Sequence, residues 1–152
     1  MMIGRVEVRR EKSQPDILRG AMSKQNVELY RRGIEAFNQR DLEAFLALAD
    51  PDVVGISRVL AIEAESYRGH DGTREWWKDL LGVFPDFTIE VVWVRDAGDL
   101  TVSELRNSVH DQGSAALAEL VWQVSEWRDG RVVRWQMYEN EQDALEAAGL
   151  SE

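Results

Sequence analysis

A two-residue Asp129-Gly130 junction between two alternating runs, 117–128 and 131–138, constrains this chain more than any other feature. Aspartate and glycine tolerate the positive φ angles of a tight hairpin turn, so the flanking runs pair as antiparallel neighbours. An acidic segment from Asp143 to Leu150 follows almost at once and reads as a short helix that Gly149 ends. Upstream, Phe87, Ile89, Val91 and Trp93 alternate in a third strand, and an Ala97-Gly98 turn leads into a fourth, 100–110.

The first half is helical in pattern. Val27, Tyr30, Ile34 and Phe37 recur at spacings of three, four and three behind a Ser23 cap, which draws one apolar stripe. A second helix starts at Asp41, carries Leu42, Phe45, Leu46 and Ala49, and stops at Asp50-Pro51, because a residue before proline resists helical geometry. Val53 to Ile56 opens a strand, and 58–67 fits a short helix or an irregular edge equally well. Gly69-His70-Asp71-Gly72 then turns into a helix over 73–83 with Trp76, Trp77, Leu80 and Leu81 on its apolar side. The elements predict an α+β fold: a curved antiparallel sheet wrapped around about three N-terminal helices, with a short C-terminal helix.

Composition bounds the partners. The chain has 152 residues, enough for one domain, and 28 acidic against 18 basic residues, a net charge of −10. That balance argues against nucleic acid and anionic membrane surfaces, which need clustered lysine and arginine. No apolar run approaches the roughly 20 residues of a membrane-spanning helix. With no cysteine and only two histidines without ligand spacing, neither a metal nor another cofactor is expected. Residues 1–22 lack a signal-peptide core and read as a flexible extension, with a strand through Ile3, Val6 and Val8 as the alternative; residues 23–150 form the single domain, and a cytoplasmic location fits.

Strand parity sorts candidate site residues. The turn predicts Arg128 opposite Arg131, Gln123 opposite Gln136 and Glu119 opposite Asn140. One face then collects Leu120, Trp122, Val124, Val133, Trp135 and Met137. The other collects Glu119, Val121, Gln123, Ser125, Trp127, Val132, Arg134, Gln136, Tyr138 and Asn140. Pairing His110 with Ala115 adds Glu104, Arg106 and His110 to this mixed face, with Arg106 opposite Glu119. Periodicity alone buries the apolar face.

The runs Asn26-Val27-Glu28, Glu35-Ala36-Phe37-Asn38, Asp50-Pro51-Asp52-Val53, Tyr67-Arg68-Gly69-His70-Asp71-Gly72, Phe84-Pro85-Asp86-Phe87 and Arg128-Asp129-Gly130-Arg131-Val132 carry a resemblance. Over about 23–150 the chain resembles the SnoaL-like proteins of the nuclear-transport-factor-like superfamily, which includes ketosteroid isomerases and polyketide cyclases. The resemblance implies a cone-shaped sheet with the mixed face concave. Trp127, Val132, Val121 and Tyr138, costly to leave in water, agree with that choice. An outer face of Trp122, Trp135 and Met137 then makes a good dimer surface, so a homodimer is expected.

Asn140 stands where the cyclases of the family carry an acid-base aspartate, and an amide cannot exchange that proton. Glu104, Arg106, Glu119 and Asn140 are therefore the candidate catalytic group, with a cross-strand ion pair as the structural alternative for the charged residues. Tyr30, Trp77, Gln123, Trp127, Gln136 and Tyr138 are the candidate ligand-binding residues. The expected function is a cofactor-independent isomerase, cyclase or hydrolase acting on a hydrophobic, polycyclic or carbonyl-containing compound. The alternatives are a non-catalytic small-ligand binder and a dimeric assembly module without pocket chemistry.

Overall fold

A computed structural model describes residues 16–58, 65–110 and 116–150. Of the extension read over residues 1–22, residues 1–15 lie outside them and 16–22 belong to the first helix. Helix α1 (Asp16–Asn38) begins well before Ser23, so Ser23 is not its cap. Instead the buried Ser23 hydroxyl donates to the Gly98 carbonyl at 3.0 Å and ties the helix to a distant turn. The predicted stripe holds: Tyr30 and Phe37 are buried and Ile34 packs beside them. The helix ends at Asn38, and Arg40 in the turn that follows is held at φ 61°. Its guanidinium donates to the carbonyls of Phe37 (3.1 Å), Pro85 (2.9 Å) and Phe87 (2.7 Å) and lies 5.3 Å from the Phe37 ring centre. Helix α2 (Leu42–Ala47) follows, with the Asp41 carboxylate accepting from the Ala44 amide.

Helix α3 (Gly69–Val83) starts at Gly69 rather than Thr73, where His70 Nε2 donates to the Ala49 carbonyl at 2.8 Å. Its two adjacent tryptophans join one aromatic cluster from different sides. Phe37, Phe45, Trp76, Trp77 and Phe87 have contacting ring centres 5.1 to 6.2 Å apart. Tilted and edge contacts of this kind add to the area that large rings bury, and they lock the three helices and the start of the sheet together. Among the described residues no helix is long and apolar enough to cross a membrane.

The strands are β1 (Ala49–Ser57), β2 (Glu65–Arg68), β3 (Thr88–Ala97), β4 (Leu100–His110), β5 (Ala116–Arg128) and β6 (Arg131–Tyr138). They form one curved sheet in the order β2-β1-β6-β5-β4-β3. All neighbours are antiparallel except β1 and β6, a parallel pair that brings the N-terminal half beside the last strand. The ambiguous 58–67 stretch yields the short edge strand β2, while residues 59–64 lie outside the described residues. On β3, at the other edge, the Asn38 side chain acts as a further strand: Oδ1 accepts from the Ile89 amide (3.0 Å) and Nδ2 donates to its carbonyl (2.8 Å).

The Asp129-Gly130 turn has φ angles of 55° and 79°, as the sequence requires, and Arg128 faces Arg131. Beyond it the expected register fails. Trp127 pairs with Val132 but Glu126 pairs with Arg134, so Val133 is an unpaired bulge. Gln123 therefore faces Met137, not Gln136. Because side chains alternate, one extra residue turns the rest of the strand over: Trp135 and Met137 point to the concave side and Gln136 and Tyr138 to the convex side. A second bulge at Val92 likewise moves Trp93 off the face of Ile89 and Val91. Between β4 and β5 the partner of His110 is Ala116, so Arg106 faces Leu120, Asn107 faces Glu119 and Ser103 faces Gln123.

Helix α4 (Glu141–Ala147) packs on the convex side. Ala144, Leu145 and Ala148 cover Val102, with Trp93, Trp122, Val124 and Tyr138 around them. Of the residues expected on the outer face, Trp135 and Met137 belong to the interior cluster, and Trp122 packs against the small cluster under α4. Arg40→Ala is expected to lower stability by about 2 kcal/mol, since hydrogen bonds to charged groups contribute roughly 1.5–3 kcal/mol. Arg40→Gly, free of strain at positive φ, should lose less. Urea unfolding of the two variants measures both.

Candidate functional site

The concave face, roofed by α1, α2 and α3, encloses a cavity of about 80 Å³. That is well above the roughly 10–15 Å³ a cavity needs to hold one water, and leaves room for a small ring. Its wall is apolar and aromatic: Leu29, Ile34 and Gly33 from α1, Phe45 from α2, Trp76 from α3, and Leu105, Trp127, Val132, Trp135 and Met137 from the sheet. Two glycines make room. A Cβ on Gly55 would meet the Trp135 ring at 2.1 Å, so that indole lies flat on β1 only because Gly55 has no side chain. Gly33, mid-helix, faces Leu48 across a gap in which a Cβ would just touch Leu48 Cδ1 at 3.4 Å.

The polar atoms on and behind this wall are mostly paired. Trp127 Nε1 donates to Thr101 Oγ1 at 2.9 Å, and Trp76 Nε1 to Ser57 Oγ at 3.1 Å. Ser103 Oγ donates to the Tyr30 hydroxyl at 2.8 Å, and Tyr30 in turn donates to Gln123 Oε1. This chain joins α1 to β4 and β5 across the interior. It leaves the Nε2 of Gln123, a residue that lines the cavity and is nine-tenths buried, with no hydrogen bond among the described residues. Ser125 adds a hydroxyl on the same face of β5. Farther along that face Asn107 is fully buried with both amide atoms unpaired.

Of the residues expected from sequence, Tyr30, Gln123 and Trp127 meet at this cavity. Trp77 lies behind it, in the aromatic cluster. Gln136 and Tyr138 sit on the convex side because of the Val133 bulge, and burial there raises the Tyr138 phenol pKa. The four candidate catalytic residues are not brought together. The Glu104 carboxylate accepts from the indole nitrogens of Trp93 (2.8 Å) and Trp122 (3.3 Å) on the convex face. Arg106, half exposed, pairs with Glu90 at 3.5 Å instead of Glu119, a contact too solvated to contribute much. Glu119 alone shares the parity of Asn107, Gln123 and the cavity face. Asn140 caps α4: its Oδ1 accepts from the Asp143 amide at 2.9 Å. Sequence reasoning missed Ser103, Trp135 and Met137. The alternation within 100–110 would have placed Ser103 inward had the loop length been known.

Tyr30 is the one titratable side chain on the cavity wall among the described residues. Burial pushes its phenol pKa well above the ordinary value, and the hydrogen bond from Ser103 pulls it back only slightly. The folded protein thus keeps this proton where the unfolded chain loses it. Below pH of about 10 the group leaves stability unchanged with pH; above it stability falls as pH rises, by at most about 1.4 kcal/mol per pH unit. Tyr30→Phe should flatten that alkaline limb, which urea midpoints between pH 8 and 11 would show.

No curated protein matches the sequence. Several solved structures share the fold. Bal32a, from a soil-derived mobile gene cassette, superposes with a TM-score of 0.69 at 22% identity, over 82% of this chain and 96% of its own. An LEH-like epoxide hydrolase from M. tuberculosis gives 0.64 at 18% identity, over 84% and 91%. TerC, co-crystallised with polyporic acid, gives 0.66 at 19% identity, over 82% and 98%. The model of the SnoaL-like domain matches residues 30–135, and with the cone of helices and sheet described above the chain belongs to the SnoaL-like family of the nuclear-transport-factor-like superfamily.

Proposed function

We propose that this protein binds a small, neutral, largely apolar molecule between the helices and the concave face of the sheet, without chemistry of its own. The composition of the cavity wall carries this reading. Aromatic and aliphatic side chains surround a phenol, an amide and hydroxyls, groups that orient a ligand by hydrogen bonds but do not exchange protons near neutral pH. Sequence reasoning put an isomerase, cyclase or hydrolase slightly ahead of a binder. The placement of Glu104, Arg106 and Asn140 away from the cavity reverses that order. The co-crystallisation of TerC with polyporic acid supports a pocket role for the fold, although that ligand belongs to TerC.

A ligand of roughly six to ten non-hydrogen atoms is expected to bind in the ten-micromolar to millimolar range, about −4 to −7 kcal/mol. Titration with uncharged ring compounds, followed by ligand-observed NMR, measures it. Gly33→Leu drives a side chain toward the cavity and should abolish binding. Gly33→Ala should raise stability by about 0.5–1 kcal/mol through helix propensity alone. Unchanged binding in folded Gly33→Leu would place the ligand elsewhere, and turnover of a bound compound would restore the catalytic reading, with Glu119 the first residue to replace.

A further inference from the structure

The unpaired Gln123 amide gives the cavity a polarity. Three observations set its direction. Ser103 Oγ lies 2.8 Å from the Tyr30 hydroxyl but 3.5 Å from its other acceptor, the Gln123 backbone carbonyl, so the serine hydroxyl points its proton at Tyr30. The Tyr30 oxygen accepts that proton and must give its own to the remaining partner, Gln123 Oε1. The amide is then held with its oxygen toward the helix, and both N–H groups of Nε2 are left for whatever occupies the cavity. Because burial keeps Tyr30 protonated, this order of donors does not reverse near neutral pH. The wall offers no charged group among the described residues, so an ion would enter unpaired.

Resting on the binding reading above, we infer that the cavity selects neutral molecules carrying an acceptor oxygen, such as a ketone, ester or ether, which Gln123 Nε2 receives. Ser103, behind the cavity wall, and Tyr30, whose one proton goes to Gln123, are positioning residues that hold the amide in that orientation. A hydrocarbon of the same shape leaves a buried donor unpaired, and an amine or carboxylate adds an unpaired charge.

Cyclohexanone and methylenecyclohexane, which differ by C=O against C=CH2, test this in the full-length protein by ligand-observed NMR titration. The readout is the ratio of their dissociation constants, in which the general apolar contribution cancels. Loss of one neutral hydrogen bond in Gln123→Leu should move the ratio about fivefold against the ketone. Gln123→Met, close to glutamine in shape and without an amide donor, should move it the same way and serves if the leucine variant does not fold. Tyr30→Phe leaves Gln123 in place but frees its amide to turn, and should move the ratio by about two- to threefold. A merely structural role for Tyr30 would weaken both probes equally. An unchanged ratio in a folded Gln123 variant overturns the anchor while leaving the cavity a binding site. Failure of both probes to bind the wild type overturns the binding reading as well.

Discussion

One unpaired residue, Val133, decides what the interior of this protein is made of. Up to Val132 the last hairpin runs in simple register; beyond Val133 each side chain of β6 is turned over relative to β5. Trp135 and Met137 are thereby committed to the concave side, and Gln136 and Tyr138 to the convex side, where Tyr138 joins the small cluster under α4. The bulge at Val92 does the same for Trp93 at the other side of the sheet. Such insertions also bend the strands that carry them, so re-aiming side chains and curving the sheet into a cone are one event.

The space inside that cone is kept open by deletion of side chains as much as by framing. Gly55 lets the Trp135 ring lie against β1, and Gly33 leaves a gap between α1 and Leu48. The aromatic cluster around Phe37 braces the helical side, and Arg40 and Asn38 fasten the end of α1 to β3 through backbone groups. A glycine in the middle of a helix gives up about 1 kcal/mol relative to alanine, and an unfilled interior gives up more.

Polar groups divide the two faces by role. On the convex side, Glu104 is an acceptor for two tryptophans, Arg106 a solvated ion-pair partner and Asn140 a helix cap, and each is accounted for by local structure. On the concave side, Ser103, Tyr30 and Gln123 form a directed chain that crosses the interior and ends in a free donor. Charged residues thus serve the surface, while neutral hydrogen-bonding groups define the interior.

The sequence alone determined the helices, the strands and the hairpin, because these rest on local rules: a 3-4-3 apolar spacing, Asp-Gly at positive φ, alternation in 100–110, and Asp41 before α2. It also carried the family resemblance and pointed to Tyr30, Gln123 and Trp127. Tertiary structure decided which faces those elements present. A bulge is invisible in a run such as Val132-Val133-Arg134-Trp135, where either register places an apolar residue inward. The register between β4 and β5 depends on loop closure, not on the pattern of either strand. A one-residue slip exchanges the two faces of a strand, so Glu104, Arg106, Gln136 and Tyr138 had parity without a face until neighbouring strands and α4 fixed it.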